Sequence, residues 1–245
     1  FRYAGYRSAV IQLAVMLALF SFWTFQRNKT WVDEETLLRD AIVKSPNKAR
    51  PYNNLGTILS EKGHKDAAVA YYLKAIQLKP DYPDALNNLG VEFVEKGELE
   101  KALKYYQDAL KIKQDYVNAH YNLAVCLDKM GRVDESISHF QKAIQINGAW
   151  SDAYNSLGAA YLKKGLTTEA FSSFRKVHPE STQYAAARYN CGNALSREGR
   201  IDEAIEEYEK AIGKDEGYID AYLNLGVALA AKGRFAEAAF QFEKV

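Results

Sequence analysis

Apolar, small and aromatic positions recur along this chain with a period of 34 residues, and each period contains two amphipathic runs of helical spacing. Counting from Ala49, Pro83, Val117, Ser151, Ala185 and Ile219, the seventh position is apolar: Leu55, Leu89, Leu123, Leu157, Cys191 and Leu225. The eighth is small (Gly56, Gly90, Ala124, Gly158, Gly192, Gly226), and the fifteenth is always glycine (Gly63, Gly97, Gly131, Gly165, Gly199, Gly233). The twentieth is small again (Ala68, Ala102, Ser136, Ala170, Ala204, Ala238), and the twenty-fourth is aromatic (Tyr72, Tyr106, Phe140, Phe174, Tyr208, Phe242). The pattern predicts six helix, turn, helix units in an all-α array.

Each recurring position has a physical reason. Glycine at fifteen falls where the first run ends, so it supplies the positive-φ residue that closes a helix. Small residues at eight and twenty let the two helices of a hairpin approach closely, and the aromatic at twenty-four fills the gap toward the next unit. One hairpin cannot bury such a face, whereas stacked neighbours can, which predicts a quasi-one-dimensional solenoid.

This pattern resembles the tetratricopeptide repeat, which implies a right-handed superhelical solenoid over residues 49–245. The units are 49–82, 83–116, 117–150, 151–184, 185–218 and a truncated 219–245. Departures are local. His120 and Arg188 stand at the fourth position, where Tyr52, Tyr154 and Tyr222 stand elsewhere. The closing proline survives only as Pro80, and Pro179 comes early, so the second helix of the fourth unit is expected to stop near Val177 and leave a bend or a wider groove.

Upstream, residues 8–25 carry no charge over eighteen positions and are interrupted by Gln12, Ser21 and Thr24. At 1.5 Å per residue they reach about 27 Å, close to a hydrocarbon core of about 30 Å. Arg2 and Arg7 precede them, Arg27 and Lys29 follow, and Tyr3, Tyr6, Trp23 and Trp31 lie where an aromatic belt would sit. The reading is one membrane-spanning helix with flanks over 1–27. A secretory signal peptide would need a small-residue cleavage site that Phe22-Trp23-Thr24-Phe25-Gln26 lacks, and a buried helix of a soluble domain is the other alternative. Cations on both sides leave the orientation open. The chain begins at Phe1 rather than methionine, as a fragment would.

Residues 28–48 read as a junction and half-unit. Asp33, Glu34 and Glu35 suit a helix N-terminus, and Leu37, Leu38, Ala41 and Ile42 form an apolar stripe in register with a second helix, so the array starts at the membrane without a flexible linker. This junction (Arg27-Asn28, Trp31, Asp33-Glu34-Glu35-Thr36-Leu37-Leu38, then Ser45-Pro46-Asn47-Lys48-Ala49-Arg50-Pro51-Tyr52-Asn53-Asn54-Leu55-Gly56) is similar to that of the transmembrane and tetratricopeptide-repeat family. Members carry many membrane helices before their repeats, and some are protein O-mannosyltransferases acting from the lumenal or extracytoplasmic side. The resemblance carries over topology and an aqueous, lumenal or extracytoplasmic location for the repeats, and no catalytic residue.

A net charge of +1 with 26% charged residues, and no basic stripe, argues against nucleic-acid binding. Cys126 and Cys191 are two units apart, roughly 20 Å or more at 8 to 10 Å per helix layer, too far for a disulfide; both are expected free and partly buried. Asn28-Lys29-Thr30 is a formal glycosylation sequon too close to the membrane for easy access. His64, His120, His139 and His178 show no metal spacing, and neither nucleophile elbow nor phosphate loop occurs, so no catalytic residue, metal or cofactor is expected in this chain.

The candidate chemistry is a binding groove. In the resembling fold the first helices line the concave surface, with the sixth position facing the groove: Asn54, Asn88, Asn122, Ser156, Asn190 and Asn224. Asparagine is unfavourable in mid-helix by several tenths of a kcal/mol, so its recurrence asks for a reason. Either the amides grip the backbone of an extended peptide, resembling the asparagine ladder of the O-GlcNAc transferase repeats, or they bond to neighbouring repeats. Beside them the fifth position offers Asn53, Asn87, Tyr121, Asn155 and Tyr189, and the thirteenth offers Lys129, Lys163 and Arg197, a basic rail or simply a solvated face. A clamp for chaperone C-terminal tails is disfavoured, because Tyr189 stands where its lysine would be.

Together these readings predict a membrane-tethered scaffold that binds extended polypeptide segments. The alternatives are an acceptor-recruiting or regulatory tail of a polytopic glycosyltransferase, and an assembly scaffold that self-associates through its C-terminal end, where Phe235, Ala238, Ala239 and Phe242 lack a following helix.

Overall fold

The computed structural model describes residues 12, 13, 15–25 and 33–245. Thirteen helices follow one another over residues 34–242: α1 Glu34–Lys44, α2 Ala49–Glu61, α3 Lys65–Leu78, α4 Pro83–Glu95, α5 Leu99–Ile112, α6 Val117–Lys129, α7 Val133–Ile146, α8 Ser151–Lys163, α9 Thr167–Phe174, α10 Tyr184–Arg197, α11 Ile201–Lys214, α12 Ile219–Ala231 and α13 Phe235–Phe242. No strand occurs among the described residues. The chain divides into two compact units, residues 1–92 and 93–245.

Within each unit consecutive helices pack as antiparallel hairpins. The glycine between the two helices of a hairpin has φ between 75° and 82° in all six cases. Its N–H bonds the carbonyl three residues back, and the next residue's N–H bonds the carbonyl five residues back: Gly131 to Asp128 at 3.0 Å and Arg132 to Leu127 at 2.9 Å. The same two bonds close α2, through Gly63 to Ser60 and His64 to Leu59. This is the Schellman closure, which satisfies carbonyls that a helix end would otherwise orphan and requires a left-handed residue.

The close approach of the two helices is equally specific. A Cβ added at Gly56 would lie 2.7 Å from the Tyr72 ring, and one at Gly158 would lie 2.5 Å from Phe174. The aromatic at position twenty-four therefore rests on the small residue of its own hairpin, while its far side reaches the next: Phe174 joins Ala187 and Cys191, and Tyr208 joins Leu225 and Leu229. The position-seven leucines Leu55, Leu89 and Leu123 are buried, each such burial contributing about 1.5–3 kcal/mol.

The fourth repeat departs from the rest. Its second helix, α9, spans 8 residues where α7 and α11 span 14. Its last α-helical residue is Phe174, and tighter turn bonds from the Lys176 N–H to Ser173 and from the Val177 N–H to Phe174 carry the coil to Val177, near where Pro179 leads one to expect the stop. Val177 is nonetheless buried, taking the place that Ala143 and Ala211 fill in neighbouring repeats. Arg188 closes the gap. It donates to the Phe174 carbonyl at 2.5 Å, pairs with Glu207 at 3.0 Å, and lies 5.0 Å over the Tyr184 ring.

In the N-terminal unit, α1 packs on α2 as a preceding second helix would. Asp33 caps it by accepting from the Thr36 N–H at 2.8 Å. Glu35 links it outward, accepting from Arg39 at 2.7 Å and from Lys62 at 2.7 Å. Those two cations hold the Glu35 carboxyl below its ordinary range, Lys62 contributing first. Ile42 packs against the Tyr52, Ala75 and Ala85 cluster, whereas Leu37 stays 40% exposed.

Of the apolar run 8–25, residues 15–25 are helical and exposed. Among the described residues no helix is long and apolar enough to cross a membrane. The flanking Arg2, Tyr3, Tyr6, Arg7, Arg27 and Trp31, and the sequon 28–30, lie outside the described residues.

Candidate functional site, the first-helix face of the repeats

Positions five and six stand on the first helix of each hairpin, and hydrogen bonds order them from repeat to repeat. In the N-terminal unit Asn88 donates to Asn53 Oδ1 at 3.2 Å, and Asn53 donates to Asn54 Oδ1 at 3.3 Å. In the C-terminal unit Tyr121 and Ser156 share a hydroxyl contact at 3.4 Å, and Asn224 donates to the Tyr189 oxygen at 3.2 Å. At Asn88, Ser156 and Asn224 position six thus reaches back to position five of the preceding repeat, so bonds to neighbouring repeats are present there, whereas the Asn190 amide makes no such bond to Asn155. Asn54, Asn88, Asn122, Asn190 and Asn224 are half-buried.

Not every expected groove residue shares this arrangement. Asn53 and Asn87 are buried, at 6% and 5% exposure, and serve as inner partners. Asn155 donates to Gln183 at 3.0 Å, in the turn that the shortened α9 creates, and its Oδ1 is buried without a partner. Lys163 is tied to Asp128 at 2.5 Å, which neutralises the middle of the basic rail; Lys129 and Arg197 are exposed.

Two features lie outside the expected set of groove residues. Asn193, at position nine, accepts from Asn224 at 2.7 Å and from the Tyr208 hydroxyl at 2.9 Å, which leaves its own amide hydrogens outside this knot. Burial, with Tyr189 next to it, pushes the Tyr208 hydroxyl up to about 12, so it remains a donor at neutral pH. The signal was a lone asparagine where the other repeats carry Thr57, Val91, Val125, Ala159 and Val227. The second is an aromatic at position thirty-four of five repeats: Tyr82, Tyr116, Trp150, Tyr184 and Tyr218. Trp150 lies 4.5 Å from Tyr121 and Tyr218 5.0 Å from Tyr189, ring centre to ring centre, while Lys79 and Lys113 sit over Tyr82 and Tyr116.

Cys126 and Cys191 are free thiols and fully buried rather than partly so. Burial pushes the Cys191 thiol up to about 12, which makes it a packing residue rather than a nucleophile. At the C-terminal end Phe235 and Phe242 are exposed, at 71% and 43%, but Ala238 is covered by its own hairpin. Among the described residues no group of three or more His, Cys, Asp or Glu could hold a metal ion.

Comparison with known families matches the tetratricopeptide repeat along this periodic region, at residues 49–82, 71–104, 117–148 and 151–177, with a further TPR repeat model at 92–131 and 192–233. The chain is a tetratricopeptide-repeat protein. As such it is related to protein O-mannosyl-transferases: 37% identical over 75 residues to Tmtc2 of Drosophila melanogaster, and 34% identical over 71 residues to TMTC3 of Homo sapiens. These alignments span 31% and 29% of this TPR chain but only 8% of each relative, so the transferase activity belongs to proteins far longer than the shared segment. Among solved structures it is similar to YrrB, described as a TPR protein with an unusual peptide-binding site. That match has a TM-score of 0.62 and 26% identity over 75% of this chain and 95% of YrrB. Pseudomonas aeruginosa pilF shares the fold, with a TM-score of 0.69 and 20% identity over 86% of this chain and 90% of pilF. The TPR array is a scaffold of the protein-interaction type.

Proposed function

We propose that this TPR protein is a membrane-tethered scaffold that holds extended polypeptide segments along the first-helix face of its repeats. The observation that carries the reading is the row of amides and tyrosines at positions five and six, half-buried at position six and tied between repeats at Asn88, Ser156 and Asn224. A ligand meeting side chains already held in place does not bear the full entropy of ordering them. Amides bond to any main chain, so the row would select extended conformation over sequence. The likeness to YrrB supports this, because that relative is itself described as having a peptide-binding site. Tethering rests on the uncharged run 8–25, with the repeats in an aqueous compartment on one side of the membrane.

The test uses the full chain in detergent against an unbiased peptide array, with Asn122→Ala and Asn190→Ala combined. Asn190 is chosen because its amide makes no bond among the described residues. Capture is expected to fall severalfold with melting nearly unchanged, and equal capture by both forms would sink the groove reading.

A second reading is favoured by the named relatives. The array would be the acceptor-recruiting part of a longer O-mannosyl-transferase, on the lumenal or extracytoplasmic side of the membrane. It predicts that peptides bearing Ser or Thr are enriched among those captured, and indifference to Ser and Thr would count against it.

A further inference from the structure

Position four is where this array departs most from its own pattern, and the structure shows what each departure faces. The side chain at position four meets the residue nineteen further on, in the second helix of the same hairpin. Tyr52 lies 6.2 Å from Tyr71, ring centre to ring centre; Arg188 pairs with Glu207; and His120 faces His139. The odd residues at 120 and 188 are thus one half of matched pairs.

In the third repeat the pair has the chemistry of a metal chelate. The Nδ1 atoms of His120 and His139 are 3.0 Å apart, and the ring centres are 5.2 Å apart with planes 30° off parallel. His120 Nε2 lies 2.9 Å from the Gln114 carbonyl oxygen. A carbonyl only accepts, so Nε2 carries the hydrogen and Nδ1 of the neutral ring presents a lone pair toward His139. A backbone carbonyl holding the far N–H is the support that fixes the tautomer and orientation of metal-bound histidines. Among the described residues no hydrogen bond holds the Nε2 of His139, so its single ring hydrogen can move there and free its Nδ1 as well.

The spacing, that of a hydrogen bond between the two metal-free rings, is also close to the bite of adjacent ligands on one ion. Two nitrogens about 2.0–2.1 Å from one ion and 3.0 Å from each other subtend roughly 95° at the metal. That is the angle between adjacent ligands of a square-planar or tetragonal ion; tetrahedral ligation would spread the nitrogens to about 3.3 Å at the same bond length.

We propose that His120 and His139 form a two-nitrogen site for a divalent transition metal of tetragonal preference, copper(II) foremost, with water completing its coordination. A cleft of about 580 Å³, lined by His120, Ser138, His139, Gln141, Lys142 and Gln145, opens over the pair and admits both ion and water. Burial keeps both rings in the neutral form that ligates. Asp115 near His120 and Glu135 near His139 favour a cation, and Lys142 opposes it.

The test is a copper(II) titration of the full chain in detergent, free of any histidine tag, followed by electron paramagnetic resonance. A one-to-one complex coupled to two imidazole nitrogens is expected. His120→Gln or His139→Gln alone should leave one nitrogen and weaken binding about tenfold or more. His120→Tyr combined with His139→Tyr recreates the ring pair of Tyr52 and Tyr71, and should keep helicity and melting while losing the complex. Unchanged binding in that double variant would overturn the site, as would a wild-type spectrum with fewer than two imidazole nitrogens.

Discussion

Gly131 and Gly158 are glycines for different reasons, and substitution separates them. A Cβ at Gly131 would meet nothing within 4 Å, but the backbone there has φ of 76°. Gly131→Val is expected to lower stability by roughly 1–3 kcal/mol through strain alone, and Gly131→Asn by less, because asparagine tolerates the left-handed region. At Gly158 the backbone is ordinary helix and the obstacle is the Phe174 ring, 2.5 Å from an added Cβ. Gly158→Ala should cost roughly 1–3 kcal/mol by overpacking, and a smaller side chain at 174 should rescue it. Urea denaturation of these variants checks both, and rescue of Gly131→Val by a change at 174 would contradict the distinction.

At the scale of the element, α9 and α1 rest on single polar residues at their edges. Arg188→Ala would leave Glu207, 15% exposed, without its buried partner and remove one of the two donors to the Phe174 carbonyl, the other being the Val177 N–H. A loss of roughly 3–5 kcal/mol is expected, larger than that of Glu207→Gln, since removing one member of a buried pair strands the other. A loss below that of an exposed ion pair would mean that Lys210, 2.7 Å from Glu207, suffices as partner. For α1 the link is Glu35 to Lys62 and Arg39. The folded-state pKa of Glu35 lies below its usual value of 4.5, so the unfolded chain takes up the proton first. The link is therefore fully present above about pH 4.5 and is lost as the pH falls below it. Amide protection factors in α1 should fall between pH 5 and pH 3 by more than in α6, and Glu35→Gln should flatten that difference. Glu35 is half-buried but Arg39 and Lys62 are exposed, so salt should weaken the effect as well.

For the whole molecule, repeats that contact only their neighbours make stability a sum of hairpin and interface terms. The Arg188 lesion should consequently loosen α9 and α10 in exchange experiments while leaving α2 and α3 protected. Uniform loss of protection would show a single cooperative block instead. The exposed phenylalanines at 235, 240 and 242 belong to this scale too, because a face that each internal hairpin covers with its neighbour is here open. Phe235→Ser with Phe240→Ser should leave the melting of the earlier repeats unchanged and remove any concentration-dependent increase in mass; the same mass dependence in the variant would exclude that face from self-association.

How far the sequence could be read follows from the range of each interaction. Glycine at fifteen, small residues at eight and twenty and the aromatic at twenty-four answer to backbone strain and to contacts inside one hairpin, so the period of 34 residues is enough to place them. The early end of α9 was legible from Pro179, whereas the contact of Arg188 with the Phe174 carbonyl from the next repeat was not. The groove asparagines could be ranked by position, yet only tertiary structure decided which amides turn inward, as Asn53 and Asn87 do, and which stay half-buried. His120 and His139 lie nineteen residues apart with nothing in their local sequence to join them. Local strain and periodic burial are properties of the chain's own order, whereas partner choice among polar side chains depends on distances of about 3 Å that only the packed helices set.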